Sequence, residues 1–154
     1  MKEVYNHGYH MTDKAVSVVV TLQGRPIYIE RLGILNIDEL FKRTTEERII
    51  KYYVREYERL MRIRYPAASE AAGTLIEQSI TILDMQGFSM KMMNSRVKNF
   101  IKLASSLGQD YYPEVMYKMF IVNAPMLFSG VWTLVKGFID KKTAAKISIL
   151  GSKY

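Results

Sequence analysis

Short runs of β-branched and apolar residues recur along this chain, and stretches with a helical period separate them. That alternation restricts the fold more than any other feature, because strands that alternate with helices pack as an α/β structure with a largely parallel sheet. The run 15–22 (Val16, Val18, Val19, Val20, Thr21) reads as a strand, Gln23-Gly24-Arg25-Pro26 as a turn, and 27–32 as a second strand that closes a hairpin. A short helix is expected over 37–42. Thr44 and Glu47 have capping-box spacing at the start of a longer helix, whose apolar stripe is Ile49, Tyr53, Tyr57, Leu60 and Met61 and whose end is marked by Pro66. Ser79-Ile80-Thr81-Ile82-Leu83 forms a compact strand ending at Asp84 and Gly87. Met93, Val97, Phe100, Ile101 and Ala104 trace an amphipathic helix that Gly108 stops, with Lys91, Lys98 and Lys102 on its other side. A buried-type strand over 119–122 runs into Asn123-Ala124-Pro125, a helix covers 126–139, and 146–150 is one more short strand.

A chain of 154 residues is long enough for one domain with a sizeable core. Its net charge of +7 favours an acidic partner: nucleic acid, an anionic membrane leaflet or a phosphorylated ligand. The basic side chains Arg43, Arg48, Lys51, Arg55, Arg59, Arg62 and Arg64 are interleaved with Glu46, Glu47, Glu56 and Glu58, which is the pattern of a solvated helix face. Ten Met and eleven Tyr suit a pocket that holds a flexible amphiphile, although composition alone favours an ordinary core with surface Tyr. With no cysteine, neither a disulfide framework nor a Cys metal site is possible. The polar opening 1–13 lacks the apolar segment of a signal peptide, and no apolar run approaches the roughly 20 residues that span a bilayer. A cytosolic protein is expected.

The helix over 126–139 is unusual. Leu127, Val131, Leu134, Val135 and Phe138 make one apolar face, and Phe128, Trp132, Val135 and Ile139 make a second beside it. A helix apolar nearly all round is buried or inserted in lipid. The residues alone favour a buried core helix; an interfacial helix bearing a Trp, with Gly130 and Gly137 loosening the backbone, is the alternative.

Catalytic chemistry is poorly represented. The chain has no nucleophile elbow, Walker loop or dinucleotide fingerprint. His7 and His10 lie close together near the start, without the ligands of a metal site. Asp84 stands at a strand end, where α/β enzymes keep catalytic groups, but no histidine elsewhere offers a base to partner it. The expectation is no enzyme.

From Tyr9 onward the order of motifs resembles a CRAL-TRIO domain of the phosphatidylinositol/phosphatidylcholine transfer protein family. The segments that carry the resemblance are Tyr9-His10-Met11-Thr12-Asp13-Lys14, Gly24-Arg25-Pro26-Ile27-Tyr28, Thr45-Glu46-Glu47-Arg48, Glu56-Tyr57-Glu58 and Ala71-Ala72-Gly73. They continue with Asp84-Met85-Gln86-Gly87, Tyr111-Tyr112-Pro113-Glu114, Val122-Asn123-Ala124-Pro125 and Lys146-Ile147-Ser148-Ile149-Leu150-Gly151. The resemblance implies one truncated domain over 1–154: a mostly parallel sheet flooring an apolar pocket, with helices over it and a helical gate above one bound phospholipid. It places Phe128, Trp132 and Val135 in the gate. It implies an inositol-headgroup site of Glu114, Thr143, Lys146 and Asp13, and a choline-headgroup site of Tyr9, Tyr28, Tyr57, Ser79 and Thr81. Trp132 is expected to touch the bilayer during exchange. Measured against the family, the N-terminal helical lobe and the final helix and strand are missing, and the run 15–22 stands where most members have a short loop.

The resemblance further implies a monomer with phospholipid as ligand, an anionic membrane surface (Golgi or endosomal) as transient partner, and no metal or other cofactor. The rival readings are a sensor for a sterol, retinoid or tocopherol, a nucleic-acid-binding domain and a small enzyme. Glu114, Thr143 and Lys146 favour the inositol lipid over the first, and the interspersed charges speak against nucleic acid.

Overall fold

The computed structural model describes residues 16–151. Among the described residues five strands follow one another across a single sheet in chain order. β1 (Val16–Val20) pairs antiparallel with β2 (Pro26–Glu30), which is the expected hairpin. β2, β3 (Ser79–Asp84), β4 (Met116–Val122) and β5 (Ile147–Ile149) are mutually parallel, with Tyr28 beside Thr81, Thr81 beside Met119, and Met119 beside Ile147. Each crossover joins neighbouring strands, so the usual right-handed sense puts every connecting helix on the same face.

Those helices are α1 (Ile37–Arg43), α2 (Glu46–Arg59), α3 (Tyr65–Ala72), α4 (Ser95–Tyr111), α5 (Phe128–Lys136) and α6 (Lys141–Ala145). Alternation along the strands turns Tyr28, Glu30, Thr81, Leu83, Met119 and Ile121 toward them. Ile29, Ile80, Ile82, Phe120 and Val122 lie on the opposite face and are only partly covered. Apolar packing concentrates in two places. Met85, Ile121, Ala124, Phe128 and Val131 form one cluster, at the C-terminal ends of the parallel strands under α5. Tyr65, Ala68 and Ile76 form the other, where the Tyr65 hydroxyl donates to the Val115 carbonyl at 2.9 Å.

Several local expectations are corrected. Thr45, not Thr44, caps α2: its hydroxyl accepts from the Arg48 N–H at 3.3 Å, while Thr44 closes α1. Pro66 does not end the helix. Leu60–Arg64 form a π-helical turn that leads directly into α3, which runs on to Gly73. A proline lacks an N–H and crowds the carbonyl four residues back, here Arg62, so the widened turn supplies the space that an α-turn denies. Gly73, at φ 64, is the residue that stops α3.

Gly108 does not stop α4, which continues to Tyr111. A Cβ there would sit 3.2 Å from the Tyr57 hydroxyl, so the glycine serves close approach between α4 and α2. The helix over 126–139 is shorter than its pattern suggests, because Met126, Leu127 and the segment after Lys136 are turns. The last strand begins at Ile147, and the unexpected α6 precedes it.

Candidate functional site

Between the sheet and the helices lies a cavity of 2420 Å³. That is well above the roughly 300–1,000 Å³ of an ordinary small-molecule pocket. Its floor is the helix-facing side of β2 to β5, its walls are α2, α4 and α5, and most of its lining is apolar. Around so large an opening, no bulky side chain among the described residues is completely buried.

α5 supplies the apolar wall. Phe128, Val131, Trp132, Val135 and Ile139 line the cavity, the spacing of one helix face. Phe128 and Val131 are buried, and Phe88 meets Phe128 edge to face at 5.8 Å. The gate residues named from the resemblance thus share one wall. Trp132 is on the cavity side, packed toward the cluster under α5. The exposed apolar side chains at this end are Met126, 97% exposed, and Leu127, 70% exposed. Leu127 therefore lies outside the apolar face that its spacing had assigned to it.

The expected inositol residues Glu114, Thr143 and Lys146 meet at one rim, by the N-terminal ends of β4 and β5. Lys146 donates to Glu114 at 2.8 Å, and this hydrogen bond and charge hold the exposed Glu114 carboxyl below its usual range. A lysine has three donors, so two remain for a ligand. Thr143 bonds Asp140, whose carboxylate also caps α6 by accepting from the Thr143 N–H at 2.9 Å. Asp13, the fourth member, lies outside the described residues.

Of the expected choline residues, Tyr28, Tyr57, Ser79 and Thr81 all line the cavity; Tyr9 lies outside the described residues. Tyr28 and Thr81 are register partners on adjacent strands. Tyr57 stacks face to face on Tyr112 with 4.3 Å between ring centroids, so one side of its ring is already occupied. Ser79 is buried and shares the Val115 carbonyl with Tyr65.

Two polar groups in the cavity were not anticipated as site residues. Glu30 lines the cavity, part-buried, and accepts from the hydroxyls of Tyr28 at 3.3 Å and Tyr53 at 3.2 Å. Burial raises its carboxyl above the usual range, against the lowering effect of both hydroxyls. Burial likewise pushes the Tyr28 and Tyr53 hydroxyls up, so both stay neutral. Farther along α2, Glu56 pairs with Arg64 at 2.8 Å and with Arg59 at 3.6 Å beside the π turn. The signal for Glu30 was present: Tyr28-Ile29-Glu30 on a strand puts residues 28 and 30 on one face.

Asp84 is engaged structurally. Asn123 donates to it at 2.8 Å and the Gln86 N–H at 2.9 Å, and Arg31 lies 3.6 Å away, contacts that hold its carboxyl below the ordinary range. That environment is the reverse of what a general base needs. Among the described residues, no cluster of His, Cys, Asp and Glu could hold a metal ion, and no helix is long and apolar enough to cross a membrane. His7 and His10 lie outside the described residues.

Comparison with known proteins matches the architecture. Residues 10–154 fit the model of the CRAL/TRIO domain. The Sec14 cytosolic factor of Schizosaccharomyces pombe is 44% identical over 100% of this chain and 51% of its own length. The phosphatidylinositol/phosphatidylcholine transfer protein SFH12 of Arabidopsis thaliana is 43% identical over 97% of this chain and 26% of its own length. The chain therefore spans about half the length of these relatives, or less. The crystal structure of Sfh5 superposes with a TM-score of 0.74 at 22% identity, covering 96% of this chain and 51% of that one, a likeness of fold. With a family model that covers nearly all of its length, and a parallel sheet flooring a large apolar cavity, the chain belongs to the CRAL/TRIO domain family.

Proposed function

We propose that this chain binds one phospholipid in its cavity and carries or presents it between membranes, without catalysing a reaction. The observation that carries the reading is the 2420 Å³ apolar cavity, with headgroup-type polar residues gathered at one rim. An amphiphile with two acyl chains needs both features, because chains bury against apolar surface while a charged head must keep polar partners. The relatives named as phosphatidylinositol/phosphatidylcholine transfer proteins support these two lipids over a sterol, retinoid or tocopherol, which carry no phosphate for Lys146. Nucleic acid is disfavoured by the surface pairing of cations with acids on α2, such as Lys51 with Glu47 and Arg62 with Glu58.

In this reading Lys146 pairs with the lipid phosphate and Glu114 accepts from inositol hydroxyls, with Thr143 beside them. Tyr28, Tyr57, Ser79 and Thr81 serve the choline lipid. α5 is the wall that yields during exchange, and Met126 and Leu127 meet the bilayer, at Golgi or endosomal membranes inside the cell. One domain, acting as a monomer, suffices.

The test is transfer of both lipids from donor to acceptor vesicles by the full chain and by Lys146→Ala. Removing a charge-assisted bond in a partly desolvated site costs roughly tenfold or more in affinity. Inositol-lipid transfer is expected to fall by that factor while choline-lipid transfer holds. Equal loss of both would reduce Lys146 to a structural role, and no loss of either would move the headgroup elsewhere.

A further inference from the structure

Glu30 is a part-buried carboxylate in the wall of an apolar cavity, and the headgroup sites described above do not use it. An ionised carboxylate out of water needs a cation or a full set of donors. Glu30 receives hydrogen bonds from Tyr28 and Tyr53, although a carboxylate has room for about four. Among the described residues no lysine, arginine or histidine pairs with it. Arg31, next in sequence, sits with Asp84 instead. The titratable groups that face Glu30 are Tyr28 on its own strand and Tyr52 and Tyr53 on α2, all neutral because burial raises them. Tyr28 and Tyr53 reach Glu30 through their hydroxyls, and Tyr52 meets Tyr53 edge to face at 5.9 Å.

A carboxylate with no cationic partner, bonded by two tyrosine hydroxyls beside an apolar volume, is the chemistry that can take up a quaternary ammonium. We infer that Glu30, with the rings of Tyr28 and Tyr53, takes the trimethylammonium group of a choline phospholipid and supplies the counter-charge that selects it. The inference rests on the phospholipid reading above and extends it to a residue that the motif comparison does not name. Glu30 follows Tyr28 along the same face of β2, and Thr81 stands beside Tyr28 on β3. The ammonium would therefore lie past the ring of Tyr28, with the phosphate toward the hydroxyls of Ser79 and Thr81.

A pH dependence follows. With the cavity free of cation, burial favours the protonated acid; a bound ammonium favours the carboxylate. Choline-lipid binding therefore releases a proton, and affinity falls as pH drops through the raised pKa of the empty site. Inositol lipid, held at the other rim, lacks this dependence.

The experiment equilibrates the full chain with vesicles of equal phosphatidylcholine and phosphatidylinositol, then identifies the bound lipid by mass spectrometry for wild type and Glu30→Gln across pH 4.5–8. Glutamine keeps the size and accepts from the tyrosines but has no charge. The expected result is an at least tenfold shift of the bound ratio away from phosphatidylcholine, with phosphatidylinositol occupancy retained and the pH dependence abolished. Equal loss of both lipids would make Glu30 a packing residue, and an unchanged or increased choline share would show that the charge selects nothing; either overturns the inference. Should Glu30→Gln fail to fold, the wild-type titration decides alone: a choline share that climbs with pH supports the inference and a flat one overturns it. A wild-type chain that binds phosphatidylcholine independently of Glu30 sinks only this inference, whereas one that takes up neither lipid sinks the phospholipid reading with it.

Discussion

α2 and α5 line the same cavity and are held in opposite ways. α2 has fourteen residues, a threonine cap, acids in its first turn and ion pairs along its outer side. On its inner side Tyr53 bonds Glu30, Tyr57 stacks on Tyr112, and Glu56 pairs with Arg64. α5 has nine residues and no side-chain bond at its N-cap. Its hydroxyls bond only its own turn: Ser129 to the Met126 carbonyl and Thr133 to the Ser129 carbonyl. What holds α5 down is the apolar contact of Phe128 and Val131, with Trp132 and Val135 at the cavity. Hydrogen bonds fix an element in one geometry, whereas apolar contact with a ligand chain can replace apolar contact with the protein at little cost. The polar wall is thus the more rigidly held, and in the proposed exchange the apolar wall is the one that parts.

The strongest way to break this comparison is Phe128→Ala. Truncating a buried phenylalanine costs about 3–5 kcal/mol, and Phe128, 6% exposed, anchors the cluster under α5. Chemical denaturation should show a loss of that size, with α5 amides exchanging faster while those of α2 stay protected. Equal loosening of both helices would mean that the walls are one cooperative unit.

Next comes Glu30→Gln, with the opposite sign. The folded-state pKa of Glu30 lies above its unfolded value, so its contribution to stability is fully present below the unfolded pKa and is lost as pH rises through the folded one. At neutral pH the ligand-free variant should melt above wild type, by less than Phe128→Ala lowers it, and the gap should close toward pH 4. A variant that melts lower at neutral pH would show that the ionised group stabilises the empty wall.

The smallest effect belongs to the cap. Thr45→Ala should remove about 1 kcal/mol, seen as fraying at the start of α2 with lipid selectivity intact. A change in selectivity would show that the α2 wall is not rigid enough to isolate its inner side from its N-terminus.

The sheet was readable because its strands are short β-branched runs whose parallel order follows from the helices between them. Breaker residues misled, and in a consistent way. Pro66 and Gly108 look like stops in sequence, yet a π turn absorbs the first and a tyrosine hydroxyl occupies the space that the second leaves. Neither is visible without the third dimension. The five-residue α6 carried a local signal, Asp140 three residues before Thr143, that is weak by itself. At the site, motif order named residues of both headgroup sets that line the cavity, but it gave no reason to notice Glu30. A glutamate in a strand reads as a solvent-facing residue until the tyrosines of α2 are seen to close over it. Val131 and Trp132, assigned by spacing to two apolar faces, line one cavity wall, because an all-round apolar helix does not reveal which side meets the sheet.

The most direct test of a phospholipid cavity is native mass spectrometry of the intact chain, followed by identification of what it carries. One phospholipid per chain is expected, with inositol or choline headgroups and two acyl chains, and a mass that returns to the bare polypeptide on denaturation. A chain that remains at its polypeptide mass after incubation with vesicles of both lipids, or that retains a sterol or retinoid in preference to them, would contradict the reading of this cavity as a phospholipid site.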